Sequence, residues 1–134
     1  KESWMENQIR FYEEKLKYEI DSWDLYESLN GSVDIVVIDA RAESAYQRAH
    51  IFSSINIPHR NMNEETTKNL SKSSLYVTYC DGIGCNASTK GALNMARLGF
   101  TVKELLGSLD WWLRDGYATE GDESSEGQAV ACGC

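Results

Sequence analysis

The chain reads as an α/β domain built on a mostly parallel sheet, and three observations predict it. The run Ile35-Val36-Val37-Ile38 is continuous and β-branched, as in a strand buried on both faces. Leu75-Tyr76-Val77-Thr78-Tyr79 is a second buried strand that ends directly on Cys80. A glycine-rich loop, Asp81-Gly82-Ile83-Gly84-Cys85, follows and opens a helix near Asn86. Along the rest of the chain, strand-like and helix-like segments alternate, as βαβ units require. In such sheets ligands collect beyond the carboxyl ends of the strands, where Cys80 falls.

Each element has its own signal. Residues 3–20 read as an amphipathic helix, with Met5, Ile9, Tyr12 and Leu16 at helical spacing, expected to cover the core. Asp21 or Ser22 caps a second short helix carrying Trp23, Tyr26 and Leu29, and Gly31 stops it. After the 34–39 strand comes a short helix over 43–48, then a brief strand at Ile55-Asn56-Ile57 that Pro58 ends. Residues 61–74 are polar and read as a loop with a helical turn. The helix after the loop runs to Leu98 and is closed by Gly99. Val102 to Leu106 is a further strand, less fully buried because of Lys103 and Glu104. Ser108 or Asp110 begins a last helix with Trp111, Trp112 and Leu113. From Tyr117 onward the chain holds four carboxylates and no basic residue, and reads as a mobile tail. The predicted organisation is a helical extension over 1–21, one domain over 22–121 and an acidic, cysteine-containing tail over 122–134.

A chain of 134 residues suits one core, and 42% hydrophobic residues are enough to build it. The net charge of −8 argues against nucleic acid and anionic membrane as partners. No apolar run approaches the roughly 20 residues of a membrane span. The four cysteines, Cys80, Cys85, Cys132 and Cys134, cluster in one loop and at the end of the chain. That pattern suits reactive thiols in a reducing compartment, so a cytoplasmic location is expected.

Cys80 is the candidate nucleophile. At the mouth of a glycine loop it faces backbone N–H groups and a helix N-terminus, both of which favour thiolate. A cysteine phosphatase or arsenate reductase would need an arginine six residues on, to clamp an oxyanion. Position 86 is Asn, and the next arginine is Arg97.

Several fragments then fall into a known order. Val37-Ile38-Asp39-Ala40-Arg41, Ala49-His50-Ile51, Ile55-Asn56-Ile57-Pro58, Tyr79-Cys80, Leu98-Gly99-Phe100 and Leu106-Gly107 with Trp111 or Trp112 together resemble the rhodanese family of sulfurtransferases. The resemblance covers about residues 22–121. It implies a five-stranded, mostly parallel sheet flanked by helices on both faces, and catalysis through a persulfide on Cys80. Backbone N–H groups of Asp81, Gly82, Ile83, Gly84, Cys85 and Asn86 would hold the anionic persulfide, the glycines adopting left-handed conformations to turn them inward. No cofactor or metal is implied. The partners implied are a small sulfur donor, thiosulfate or a persulfide, a thiol or cyanide acceptor, or a protein sulfur acceptor. Asp81 stands where many members carry Arg or Lys, which predicts weak turnover of dianionic thiosulfate.

Other residues take lesser roles. Cys85 is a candidate resolving thiol, able to attack a Cys80 persulfide and leave a disulfide. An alternative function follows: a thiol redox sensor, or an interaction module keeping the fold, that uses Cys80 and Cys85. Cys132 and Cys134 read as incidental thiols. His50 is expected to be structural, His59 a surface residue, and Asp39 and Arg41 an ion pair at a strand end. Trp111 and Trp112 are expected to divide between core and cleft rim.

Overall fold

The computed structural model describes residues 3–127. Five parallel strands form the main sheet: β1 (Glu19–Ile20), β2 (Ile35–Asp39), β4 (Ile55–Asn56), β5 (Leu75–Tyr79) and β6 (Thr101–Leu105), in the order β1-β6-β5-β2-β4. The expected α/β architecture is therefore present. Two short strands, β3 (His50–Ile51) and β7 (Thr119–Glu120), make a separate antiparallel pair. The helices are α1 (Trp4–Tyr18), α2 (Ser22–Leu29), α3 (Glu43–Arg48), α4 (Ala87–Arg97) and α5 (Ser108–Arg114).

Strand alternation builds a core on each face of the sheet. Val37, Val77, Tyr79 and Leu105 face one side, against Leu25 of α2 and Leu109 and Trp112 of α5. Ile38 and Tyr76 face the other, against Met95 of α4, Phe100 and Met62. Asp21 caps α2 as expected, its Oδ1 accepting the Asp24 N–H at 2.8 Å. Gly91 lies where α4 meets the sheet, and a Cβ there would sit 3.1 Å from the Ala40 Cβ.

Two expectations are corrected. α1 does not cover the core: none of its residues is buried, and Trp4, Ile9, Phe11, Tyr12 and Leu16 are exposed. α2, α4 and α5 already fill the two faces, so α1 lies beside the sheet edge, touching β1 and β6. It also ends earlier than expected, because Glu19 and Ile20 turn extended and pair with β6. Nor does the chain become a free tail at Tyr117. Tyr117 is buried, stacked on Tyr26 at 4.5 Å between ring centres, and the Trp112 indole donates to the Ala118 carbonyl at 2.9 Å. β7 then pairs with β3, and Asp122 and Glu123 donate backbone N–H bonds to Gln47 and Arg48. A polar composition hid these contacts because backbone groups make most of them. Cys132 and Cys134 lie outside the described residues.

Candidate active site

β2 continues to β4 on one side and is flanked by β5 on the other, so the order of the sheet reverses between β2 and β5. The chain ends leaving this pair of strands meet at the carboxyl edge, the place where an open α/β sheet forms a crevice. From β2 comes Arg41. From β5 come Cys80 and Asp81.

The first layer of the site is an ionic hub. Arg41 Nε donates to both oxygens of Asp39, at 3.0 and 3.1 Å, and Nη2 donates to Asp39 Oδ2 at 2.7 Å. Nη2 also reaches the Ala49 carbonyl at 2.6 Å, and Nη1 reaches Asp81 Oδ1 at 3.1 Å. Asp39 is fully buried and accepts a further bond from the Tyr79 hydroxyl at 2.8 Å. Burial works to lower the guanidinium pKa, but the bonds to Asp39 and Asp81 outweigh it and hold Arg41 above its ordinary value. The expected Asp39–Arg41 pair is thus present, and it extends to Asp81 on the loop. His50 is likewise structural: Nδ1 lies 2.7 Å from the Tyr46 carbonyl and its ring stacks on Tyr46 at 3.6 Å. His59, expected at the surface, sits half-buried in a single turn of 3-10 helix, His59–Asn61.

Cys80 is buried at the end of β5, on the face covered by α4. Its Sγ lies 3.3 Å from Ser88 Oγ, 3.3 Å from the Cys85 carbonyl, 3.7 Å from Ser108 Oγ and 3.8 Å from the Gly82 carbonyl. Ser108 Oγ also accepts the Cys80 N–H at 3.1 Å. Burial pushes the thiol pKa up. Hydrogen bonds from the Ser88 side chain and N–H, the Cys85 side chain and Ser108 outweigh it, and the thiol sits below its ordinary value. Cys85 moves the other way, mainly through burial and through the neighbouring Cys80 sulfur.

The loop differs from the expected anion nest. Gly82 and Cys85 turn carbonyls, not N–H groups, toward Cys80, and the Cys85 N–H closes a turn onto the Gly82 carbonyl at 3.1 Å. A thiol is a hydrogen-bond donor, so this arrangement suits the protonated resting state. Gly82 and Gly84 do not adopt left-handed conformations either. Gly82 allows a close approach, since a Cβ there would come 3.1 Å from the Asp110 Cβ. α5 fixes the loop from outside: the Leu109 and Asp110 N–H groups donate to the Cys80 and Asp81 carbonyls at 3.1 and 2.9 Å.

A cleft of about 510 Å³ lies on the outer side of the groups that hold the sulfur, lined by loop residues Gly82 to Asn86, by Ser88 and Thr89, and by Glu104 to Ser108; Cys80 itself is buried behind Cys85, Ser88 and Ser108. Three of its residues went unrecognised in the sequence. Ser88 lies in the first turn of α4, and Ser108, the first residue of α5, is held at φ 52°. Glu104 is a carboxylate within a strand, and that misplaced charge was the one signal available. Its Oε2 accepts the hydroxyls of Ser88 and Thr89, each at 2.7 Å. Of the two tryptophans, Trp112 is in the core, and Trp111 is half-exposed with Arg114 over its ring at 5.7 Å.

A doubly wound sheet with a cysteine at the carboxyl end of its central strand, cradled by the following helix, defines a class of thiol-based α/β domains. The family pattern for the Rhodanese-like domain matches residues 22–115. The chain belongs to the rhodanese-like family. Among solved structures, it is similar to the BH2092 protein of Bacillus halodurans, with 39% identity and a TM-score of 0.85 over 95% of this chain and 93% of that one. The rhodanese-like domain of an Anabaena protein shares 26% identity, with a TM-score of 0.72 over 87% and 88% of the two chains. A thiosulfate sulfurtransferase from Pseudomonas aeruginosa shares the fold at 18% identity and a TM-score of 0.70; 88% of this chain is covered, but only 23% of that protein. No curated protein matches. Among the described residues, no helix is long and apolar enough to cross a membrane.

Proposed function

We propose that the protein is a sulfurtransferase that carries sulfane sulfur as a persulfide on Cys80. The observation that carries this reading is the Cys80 sulfur itself: at a strand end, held by Ser88 and Ser108 of the adjoining cleft, with its pKa lowered against the pull of burial. The Cys80 thiolate attacks the outer sulfur of a small donor, and the donor remnant leaves with the bonding electrons. An acceptor thiolate or cyanide then attacks that sulfur, and the Cys80 thiolate departs. A protein thiol would serve equally as acceptor. The chemistry is complete with thiols alone and calls for neither cofactor nor metal. It also suits a cytoplasmic, reducing setting, which keeps Cys80 reduced between turnovers.

The test is to incubate the purified protein with thiosulfate or an organic persulfide and weigh it intact. A gain of one sulfur, mapped to Cys80 and lost on adding cyanide, is expected. Finding the added sulfur elsewhere, or none at all, refutes the reading.

One observation favours a second use of the same site. The Cys85 carbonyl lies 3.3 Å from the Cys80 sulfur and Cys85 lines the adjoining cleft, so the loop carries a second thiol beside the first. Attack by Cys85 on the inner sulfur would expel hydrosulfide and leave a Cys80–Cys85 disulfide, which an external thiol must reduce. The same weighing distinguishes the two, since this path ends with the loss of two hydrogens. A mass unchanged by any donor would leave the fold as an interaction module.

A further inference from the structure

The sequence places the negative charge of the site on Asp81. In the fold that charge is spoken for: Asp81 is mostly exposed and paired to Arg41. The residue that faces the cleft with a charge is Glu104. Among the described residues lining the cleft it is the one carboxylate, and no Lys or Arg lines the cleft. Its Oε2 is held by two hydroxyls, not by a cation.

The groups around it do not neutralise it. On β1 its register partner is Glu19, whose carboxylate is bonded to Lys15. On β5 its partner is Thr78, which is uncharged and donates to the Ser88 carbonyl. Lys103, next to it on β6, extends to the Leu16 carbonyl of α1. On α4, Lys90 acts on His59. From the loop come Cys85 and the Arg41-paired Asp81.

Resting on the sulfurtransferase reading, we infer that Glu104 sets the donor class, selecting persulfides borne on neutral or cationic carriers and rejecting dianions such as thiosulfate. Two effects produce the selection. A carboxylate on the cleft wall repels a second negative charge brought to the sulfur. It also claims the Ser88 proton. Ser88 has one hydroxyl hydrogen and two neighbours that want it, the carboxylate at 2.7 Å and the Cys80 sulfur at 3.3 Å. The charged carboxylate competes for it and weakens the bond that Ser88 can give the thiolate. Glu104 is therefore a positioning residue for Ser88 as well as a charge on the wall.

Glu104→Gln separates these consequences from a purely structural role. The amide keeps the size, removes the charge and can donate to Ser88 Oγ, freeing its hydroxyl for Cys80. The pH at which Cys80 is half-alkylated by iodoacetamide should fall. The ratio of kcat/KM for thiosulfate to that for cysteamine persulfide should rise about tenfold, the scale of one like charge removed from a partly screened site. That rise should shrink at high salt. Glu104→Asp, which keeps the charge, should retain the wild-type ratio. An unmoved alkylation midpoint together with an unmoved donor ratio overturns the inference. Failure of the wild type to form a persulfide with either donor counts against the reaction itself. A midpoint that still falls in Glu104→Gln would then uphold the hold of Glu104 on Cys80.

Discussion

Arg41 is 7% exposed and bridges the buried Asp39, the Ala49 carbonyl and the active-site Asp81. Replacing it with Met keeps the length of the chain and removes every one of these bonds. Asp39 would remain fully buried, with the Tyr79 hydroxyl at 2.8 Å and the residue 41 N–H at 2.9 Å as its remaining donors. Stripping the partner from a buried ion pair costs about 3–5 kcal/mol. The lost contact to Asp81 adds little, about 0–1 kcal/mol, because that carboxylate is largely in water. Against a typical domain stability of roughly 5–15 kcal/mol, the variant should be folded but marginal. The measurement is urea unfolding of wild type, Arg41→Met, Asp39→Asn and the double variant. The double variant should lose less than the two single losses combined, by about 1–3 kcal/mol, because neither charge is then left buried alone. Arg41→Lys should fall between wild type and Arg41→Met, since one ammonium cannot serve three acceptors in a planar fork. It should also form persulfide more slowly, having released Asp81 beside Cys80. Strict additivity in the cycle, or an Arg41→Met stability within about 0.5 kcal/mol of wild type, would refute this account of the hub.

Three further outcomes are expected. Cys80→Ser should form no persulfide and transfer no sulfur, because a hydroxyl does not ionise near neutral pH; turnover retained through Cys85 would show up as sulfur on that residue by peptide mapping. Ser108→Ala removes one of the bonds that lower the Cys80 pKa and orphans the buried Cys80 N–H. Its Cys80 alkylation midpoint should therefore move to higher pH, so that less thiolate is present at any pH below it, with a stability loss of about 1–3 kcal/mol by urea unfolding. Gly107→Ala should destabilise by at least about 1–3 kcal/mol, because φ is 76° there and a Cβ would lie 2.5 Å from the Trp111 Cβ; an unchanged urea midpoint would contradict that geometry.

Local chemistry sufficed for much of the fold. The β-branched run at 35–38, the apolar strand ending on Cys80 and the Asp21 cap each carry their meaning within a few residues, and all three appear where the sequence puts them. The candidate nucleophile was legible for the same reason, since a cysteine between a buried strand and a glycine loop is a local pattern. What surrounds its sulfur was not. Ser88 follows it across the glycine loop, but Glu104 and Ser108 arrive from β6 and the start of α5, which only strand order brings beside the Cys80 site. The sign of the site depended on the same long-range assembly: Asp81 reads as its charge until Arg41 reaches across from β2, and Glu104 reads as an imperfect strand residue until Ser88 is found beside it. The loop carbonyls facing Cys80 and the Tyr117 anchor also escape the sequence, because backbone orientation and the free space over a helix pair leave no mark in residue type. Short-range propensity and periodicity therefore determined the elements and the position of the candidate thiol, while packing of distant strands decided its electrostatics.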